Sequence, residues 1–149
     1  MSSNRRPFLI LAALAALFAL RVVAQAMQRW HALPFLPPFD AFQGSALRYE
    51  LLLSVQIAIL AVMVRVAWLV RVGRLQRQAS VGGALAIAGS IYFSAMLIRL
   101  CIGFAAPAAP DWFKAWIPGV FHLVLASFVL VLAAYHRYSL PVSADRETP

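Results

Sequence analysis

Residues 81–105 read VGGALAIAGSIYFSAMLIRLCIGFA, a continuous apolar run that carries one charged side chain, Arg99. A helix rises about 1.5 Å per residue, so about 20 apolar residues cross the roughly 30 Å hydrocarbon core of a bilayer. This run is long enough. It does not alternate in polarity as a membrane-barrel strand does, and lipid offers backbone amides no partner, so a helix is required. Further runs of this kind lie at 8–28, 47–72 and 112–135. The expected fold is all-α: a four-helix transmembrane bundle, with residues 1–149 as one integral membrane domain and a tail at 137–149.

Composition agrees. The chain is 63% hydrophobic and 12% charged, with a mean hydropathy of +0.81, against about 45–50% and 25% in soluble domains. A net charge of +8 raises nucleic acid as a partner. The basic residues sit at helix ends and loops, however, without an interleaved basic and aromatic face, so none is expected. Cys101 is the single cysteine, which excludes an intrachain disulfide, a CxxC pair and a thiolate cluster. Lys114 is the only lysine among 13 basic residues; the alanine- and arginine-rich composition points to a bacterial inner (cytoplasmic) membrane.

Orientation follows from arginine placement. Arg5 and Arg6 precede the first run, Arg71, Arg74 and Arg77 fill the connection between the second and third, and Arg137 and Arg146 follow the fourth. The positive-inside rule makes these segments, and both termini, cytoplasmic. On the opposite side Arg29, Arg48 and Lys114 are offset by Asp40, Glu50 and Asp111, and Trp30, Trp112 and Trp116 form an interfacial belt. The outer connection at 31–45, with three prolines and three phenylalanines, is too apolar for a free loop and is expected to fold onto the bundle's outer end. Pro107 and Pro110 stop the third run and start the fourth. A competing reading makes residues 1–26 a cleaved export signal, with a basic start, an apolar stretch and an A-x-A site at 24–26. Three more spans and an apolar stretch that continues past Arg21 weigh against it.

Charges inside apolar runs cost about 2.5 to 3.5 kcal/mol on insertion scales and persist where they are paired, hydrated or used. Counted inward from the outer boundary, Arg21 lies about 10 Å deep and Arg99 about 8 Å, and His122 about 10 Å if its helix begins near Trp116, with Glu50 shallower and Gln56 roughly two turns below it. Arg65, near the cytoplasmic end, reads as a snorkelling anchor. Arg21, Gln25 and Gln28 share one helix face. In the third run Arg99 stacks with Tyr92, and small residues on both sides make that helix a candidate for the bundle's centre. The layer sets two arginines against one carboxylate. Either Glu50 pairs with Arg21 or Arg99 while the other arginine meets a carbonyl or lipid phosphate, or the layer receives an anionic or carbonyl-bearing ligand. Arg21, Glu50, Gln56, Tyr92, Arg99 and His122 are the candidate ligand-binding residues.

Catalytic and metal chemistry find little support. His122 and His136 share a stripe, but no other run offers a facing histidine for haem. No metal-ligand spacing, P-loop, GxGxxG or GxSxG is present, so no cofactor is expected and an enzyme is disfavoured. Transport is disfavoured by size and by the lack of a repeat. Glu50 opening the second run with Arg65 fifteen residues later resembles the small four-helix DoxX-type membrane proteins, whose members are linked to redox partners and quinones. The glycines of that pattern are absent and the likeness covers one helix. The reading that results is a small multipass inner-membrane protein, a non-enzymatic accessory or assembly subunit with a structural polar layer. The alternative is a lipid- or quinone-binding protein. Expected partners are membrane lipid and a second copy or a larger membrane complex.

Overall fold

The computed structural model describes residues 4–31, 33–42 and 48–137. The tail from 138 on, with Arg146, and residues 43–47 of the outer connection lie outside the described residues. Six helices follow in order: α1 (Arg5–Trp30), α2 (Phe39–Phe42), α3 (Tyr49–Arg71), α4 (Ala79–Ala105), α5 (Asp111–Lys114) and α6 (Trp116–Arg137). No strand occurs among the described residues. The four long helices, α1, α3, α4 and α6, are each long and apolar enough to cross a membrane, as an integral, multipass protein requires.

The run expected at 112–135 is divided. Pro118 has no N–H to give the carbonyl four residues back, and its ring clashes there, so a helix begun at Trp112 cannot pass through it. The chain instead closes the short α5, where the Ala115 N–H donates to the Asp111 carbonyl at 3.1 Å. It restarts at Trp116, which leaves Pro118 in the first turn, where no N–H is needed. After α3 the chain reverses at Gly73, whose φ of +69° suits a residue lacking Cβ.

The core is built from α1, α3 and α6. Leu11, Ala15, Phe18 and Val22 meet Met63, Ala67 and Val70 on one side and Phe128 and Tyr135 on the other. Helix α1 packs on both α3 and α6, and α4 packs principally on α6. The spatial order is therefore α3, α1, α6, α4. This corrects the expectation that the third run, now α4, is central. Only one of its small-residue faces is used: at Gly89 an added Cβ would lie 3.0 Å from a Leu130 methyl, whereas at Gly83 it would meet nothing within 4 Å. Ile87 and Ile91 on α4 are exposed.

One end of the molecule gathers the starts of α1 and α4 with the ends of α3 and α6. Arg77 donates to Asn4 Oδ1 at 2.9 Å and lies 4.5 Å over the Tyr135 ring. The Tyr135 hydroxyl donates to the Leu75 carbonyl at 3.2 Å. The Gln78 N–H donates to His136 Nδ1 at 3.2 Å, so His136, buried near the end of α6, accepts at the start of α4. At the opposite end α2 folds back against α1 and α6, with Phe42 buried.

Candidate functional site

The four polar side chains buried most deeply inside the long helices away from the arginine-rich end are Arg21, Gln25, Gln56 and Arg99, each 7% exposed or less. Arg21 and Gln25 stand one turn apart on the inward face of α1, since residues four apart in a helix share a face. Arg21 Nη2 donates to the Phe42 carbonyl at 3.0 Å, and its guanidinium carbon lies 5.7 Å from the centre of the Phe121 ring. One turn nearer the C-terminal end of α1, Gln56 Nε2 donates to Gln25 Oε1 at 3.2 Å and joins α3 to α1.

Arg99 is held differently. Its Nε and Nη2 both donate to the carbonyl of Trp112, at 3.1 and 2.6 Å, and its guanidinium carbon lies 4.0 Å over the Trp112 ring. A planar fork suits this combination of bidentate bonding and stacking. Gly103, one turn beyond Arg99, makes the approach possible. A Cβ there would overlap the Phe113 carbonyl oxygen and lie 2.8 Å from its carbon. Tyr92 and His122 join α4 to α6, the hydroxyl and Nδ1 lying 2.5 Å apart with the rings edge to face.

These contacts correct the expected charge balance. Glu50 is exposed in the first turn of α3 and, among the described residues, forms no ion pair with Arg21 or Arg99. The first turn of a helix already favours a carboxylate and leaves it in water, so nothing draws it inward. It lines instead an open pocket of about 440 Å³ at the end opposite the arginine-rich one, with Gln28, Arg29, Phe39, Arg48 and Tyr49. The buried arginines are matched by backbone carbonyls of the short helices α2 and α5. Arg65 is exposed.

The six candidate residues thus fall into separate places. Arg21, Gln56 and His122 line one cavity of about 140 Å³ between α1, α3 and α6, walled otherwise by apolar side chains such as Phe18, Leu52 and Phe121. Tyr92 reaches this group through His122. Arg99 belongs to the clamp on Trp112, and Glu50 to the open pocket beside Tyr49. Beside the cavity several buried polar atoms have no partner among the described residues: Arg21 Nε, Gln25 Nε2 and Gln56 Oε1. Turning both glutamine amides exchanges their roles but still leaves the pair one free donor and one free acceptor. Buried polar atoms without partners are uncommon and costly.

Sequence reasoning placed Gln25 beside Arg21 but gave it no role; the signal was its position four residues on. The carbonyls of Phe42 and Trp112 carry no sequence signal, since every residue has one. No three His, Cys, Asp or Glu side chains gather as a metal site among the described residues. In comparisons with known proteins, no family model, no curated protein and no solved structure matches this chain.

Proposed function

We propose that this chain is a non-enzymatic accessory or assembly subunit of a bacterial inner membrane, its arginine-rich end facing the cytoplasm. Its buried polar layer holds the outer end of the bundle together. The observation that carries this reading is that both buried arginines are engaged by the protein's own backbone, at Phe42 and Trp112. A guanidinium that clamps a connecting segment positions it; it does not wait for substrate. The exposed face of α4 leaves room for a partner helix. Replacing Arg21 or Arg99 by Gln is expected to lower folding yield and partner co-purification together. Unchanged yield and thermal stability for both variants would remove the reading.

The cavity favours a second reading. An apolar void of about 150 Å³ takes up a six-membered ring, and this one is about 140 Å³. Its edge carries a buried donor, Arg21 Nε, and a buried acceptor, Gln56 Oε1, without partners among the described residues. A membrane-soluble molecule with a small head bearing one acceptor and one donor, of the lipid or quinone class, complements that pair. Native mass spectrometry of a mild-detergent preparation is expected to find a small molecule that the Gln56→Leu variant loses while remaining folded. A wild-type preparation with no bound small molecule excludes it.

A further inference from the structure

Away from the polar layer, an apolar groove of about 380 Å³ runs between α1 and α3. It shares no lining residue with the cavity between α1, α3 and α6. Its floor is the alanine face of α1, Ala12, Ala16 and Ala19, where no side chain extends past Cβ; its wall is Leu60, Val64 and Trp68 of α3. The volume is more than twice that of an apolar cavity that holds a benzene ring. Length is the more telling dimension. From Phe8 to Ala19, and antiparallel to it from Arg71 to Leu60, each helix advances eleven residues, or about 16 Å. That is the depth of one leaflet in a hydrocarbon core of about 30 Å.

The interfacial end of the groove is closed by Arg71, whose guanidinium carbon lies 5.1 Å over the Phe8 ring. Arg71 is exposed, and its N–H donors form no hydrogen bond or ion pair among the described residues. Arg21, Arg77 and Arg99, by contrast, are bonded. Arg5, Arg6 and Arg74 lie at the same end, while the acidic side chains among the described residues, Asp40, Glu50 and Asp111, all belong to the other end. An apolar slot of one leaflet's depth, with an arginine fork at its end whose donors have no hydrogen-bond partner among the described residues, matches one lipid molecule. The fork suits the bidentate geometry of phosphate, and an end where the charged side chains among the described residues are all arginines favours a head of net negative charge. A second copy of this chain fits less well. Closed two-fold pairing about the membrane normal brings the two arginine-rich ends together, and a helix needs a groove of the full span.

We propose that the groove between α1 and α3 is a binding site for one anionic glycerophospholipid, with an acyl chain along the alanine face and the phosphate on Arg71. The test uses the full chain in mild detergent, offered equimolar phosphatidylglycerol and phosphatidylcholine with matched acyl chains and read by native mass spectrometry. An arginine near an anionic lipid surface contributes about 1 kcal/mol, which converts to about a five-fold preference. The wild type is expected to retain phosphatidylglycerol over phosphatidylcholine by at least about that factor. Arg71→Gln, which keeps much of the side chain's length, should cut the preference by about five-fold. Ala16→Phe fills the slot from an exposed position and should abolish retention of both lipids. Ala58→Phe, exposed on α3 outside the groove, should leave retention unchanged. Equal retention of the two lipids by the wild type overturns the proposal. So does lipid binding indifferent to Arg71→Gln, which decides the matter even if Ala16→Phe fails to fold. A wild-type dimer made monomeric by Ala16→Phe assigns the groove to a second copy and overturns it as well.

Discussion

Gly103→Ala tests whether the clamp on the outer connection is structural. The added Cβ would lie 2.8 Å from the Phe113 carbonyl carbon and closer still to its oxygen. Ordinary contact begins at 3.4 Å, so the α5 segment must withdraw by at least 0.6 Å (3.4 − 2.8). Withdrawal by that amount along the bond takes the 3.1 Å contact from Arg99 Nε to the Trp112 carbonyl beyond hydrogen-bond reach. Overpacking costs about 1 to 3 kcal/mol and a lost charge-assisted hydrogen bond about 1.5 to 3. Alanine's helical advantage over glycine returns about 0.5 to 1. The net loss is about 1.5 to 5.5 kcal/mol. Gly83→Ala is the internal control, because nothing lies within 4 Å of its added Cβ and only the helical gain applies. Thermal unfolding in detergent, followed by tryptophan emission, reads both; Trp112 lies against Arg99, so its emission is expected to change before unfolding begins. If Gly103→Ala melts where Gly83→Ala melts, with the same yield and emission, the connection is not held by this contact and the structural account of Arg99 fails.

Arg21→Gln shortens the side chain that reaches Phe42 and is expected to destabilise by about 1.5 to 3 kcal/mol, whereas Glu50→Gln, at an exposed position, should stay within about 0.5. Equal effects in a melting experiment would restore Glu50 to the layer. Tyr92→Phe removes the hydroxyl that meets His122; bonds between helices in membranes contribute about 0.6 to 2 kcal/mol, and a loss in that range is expected in the same assay. A variant as stable as the parent would show that α4 and α6 need only their packing. Gly89→Leu places a large side chain where even a Cβ touches Leu130 and Val129, and should abolish recovery of folded protein by size exclusion. Recovery at the parental level would contradict the close approach of α4 and α6.

Much of the fold was legible because runs such as 81–105 have only one way to satisfy their backbone in lipid. Their register against one another was not. In α4, small residues occur on several faces, and only contact with α6 selects the one bearing Gly89; composition has no means of choosing it. The boundary at 112 failed for a local reason, since apolarity continues through 112–118 while Pro118 forbids the helix from doing so. Arg21, Arg99, Gln56 and His122 stood out as polar groups in apolar stretches, and the structure places all of them inward. Counting residues along an axis gives depth but no azimuth and no chain return. It therefore grouped Glu50 with arginines that it does not meet, and it had no way to foresee that Phe42 and Trp112 would supply the compensating oxygens.

The order α3, α1, α6, α4 describes two hairpins, α1 with α3 and α4 with α6, that meet along the seam between α1 and α6. Each hairpin joins long helices that follow one another in the chain, so its contacts are closer in sequence than those of the seam and it can form before the other is in place. The seam is the long-range step, and the cavity lined by Arg21, Gln56 and His122 lies beside it, touching both hairpins. Whatever fills that cavity bridges α1, α3 and α6, and so adds its binding free energy, as RT ln(1 + [L]/Kd), to the joint between the halves. Filling it therefore strengthens the seam along which the core already joins the two hairpins, which would be seen as a rise in melting temperature that grows with ligand concentration.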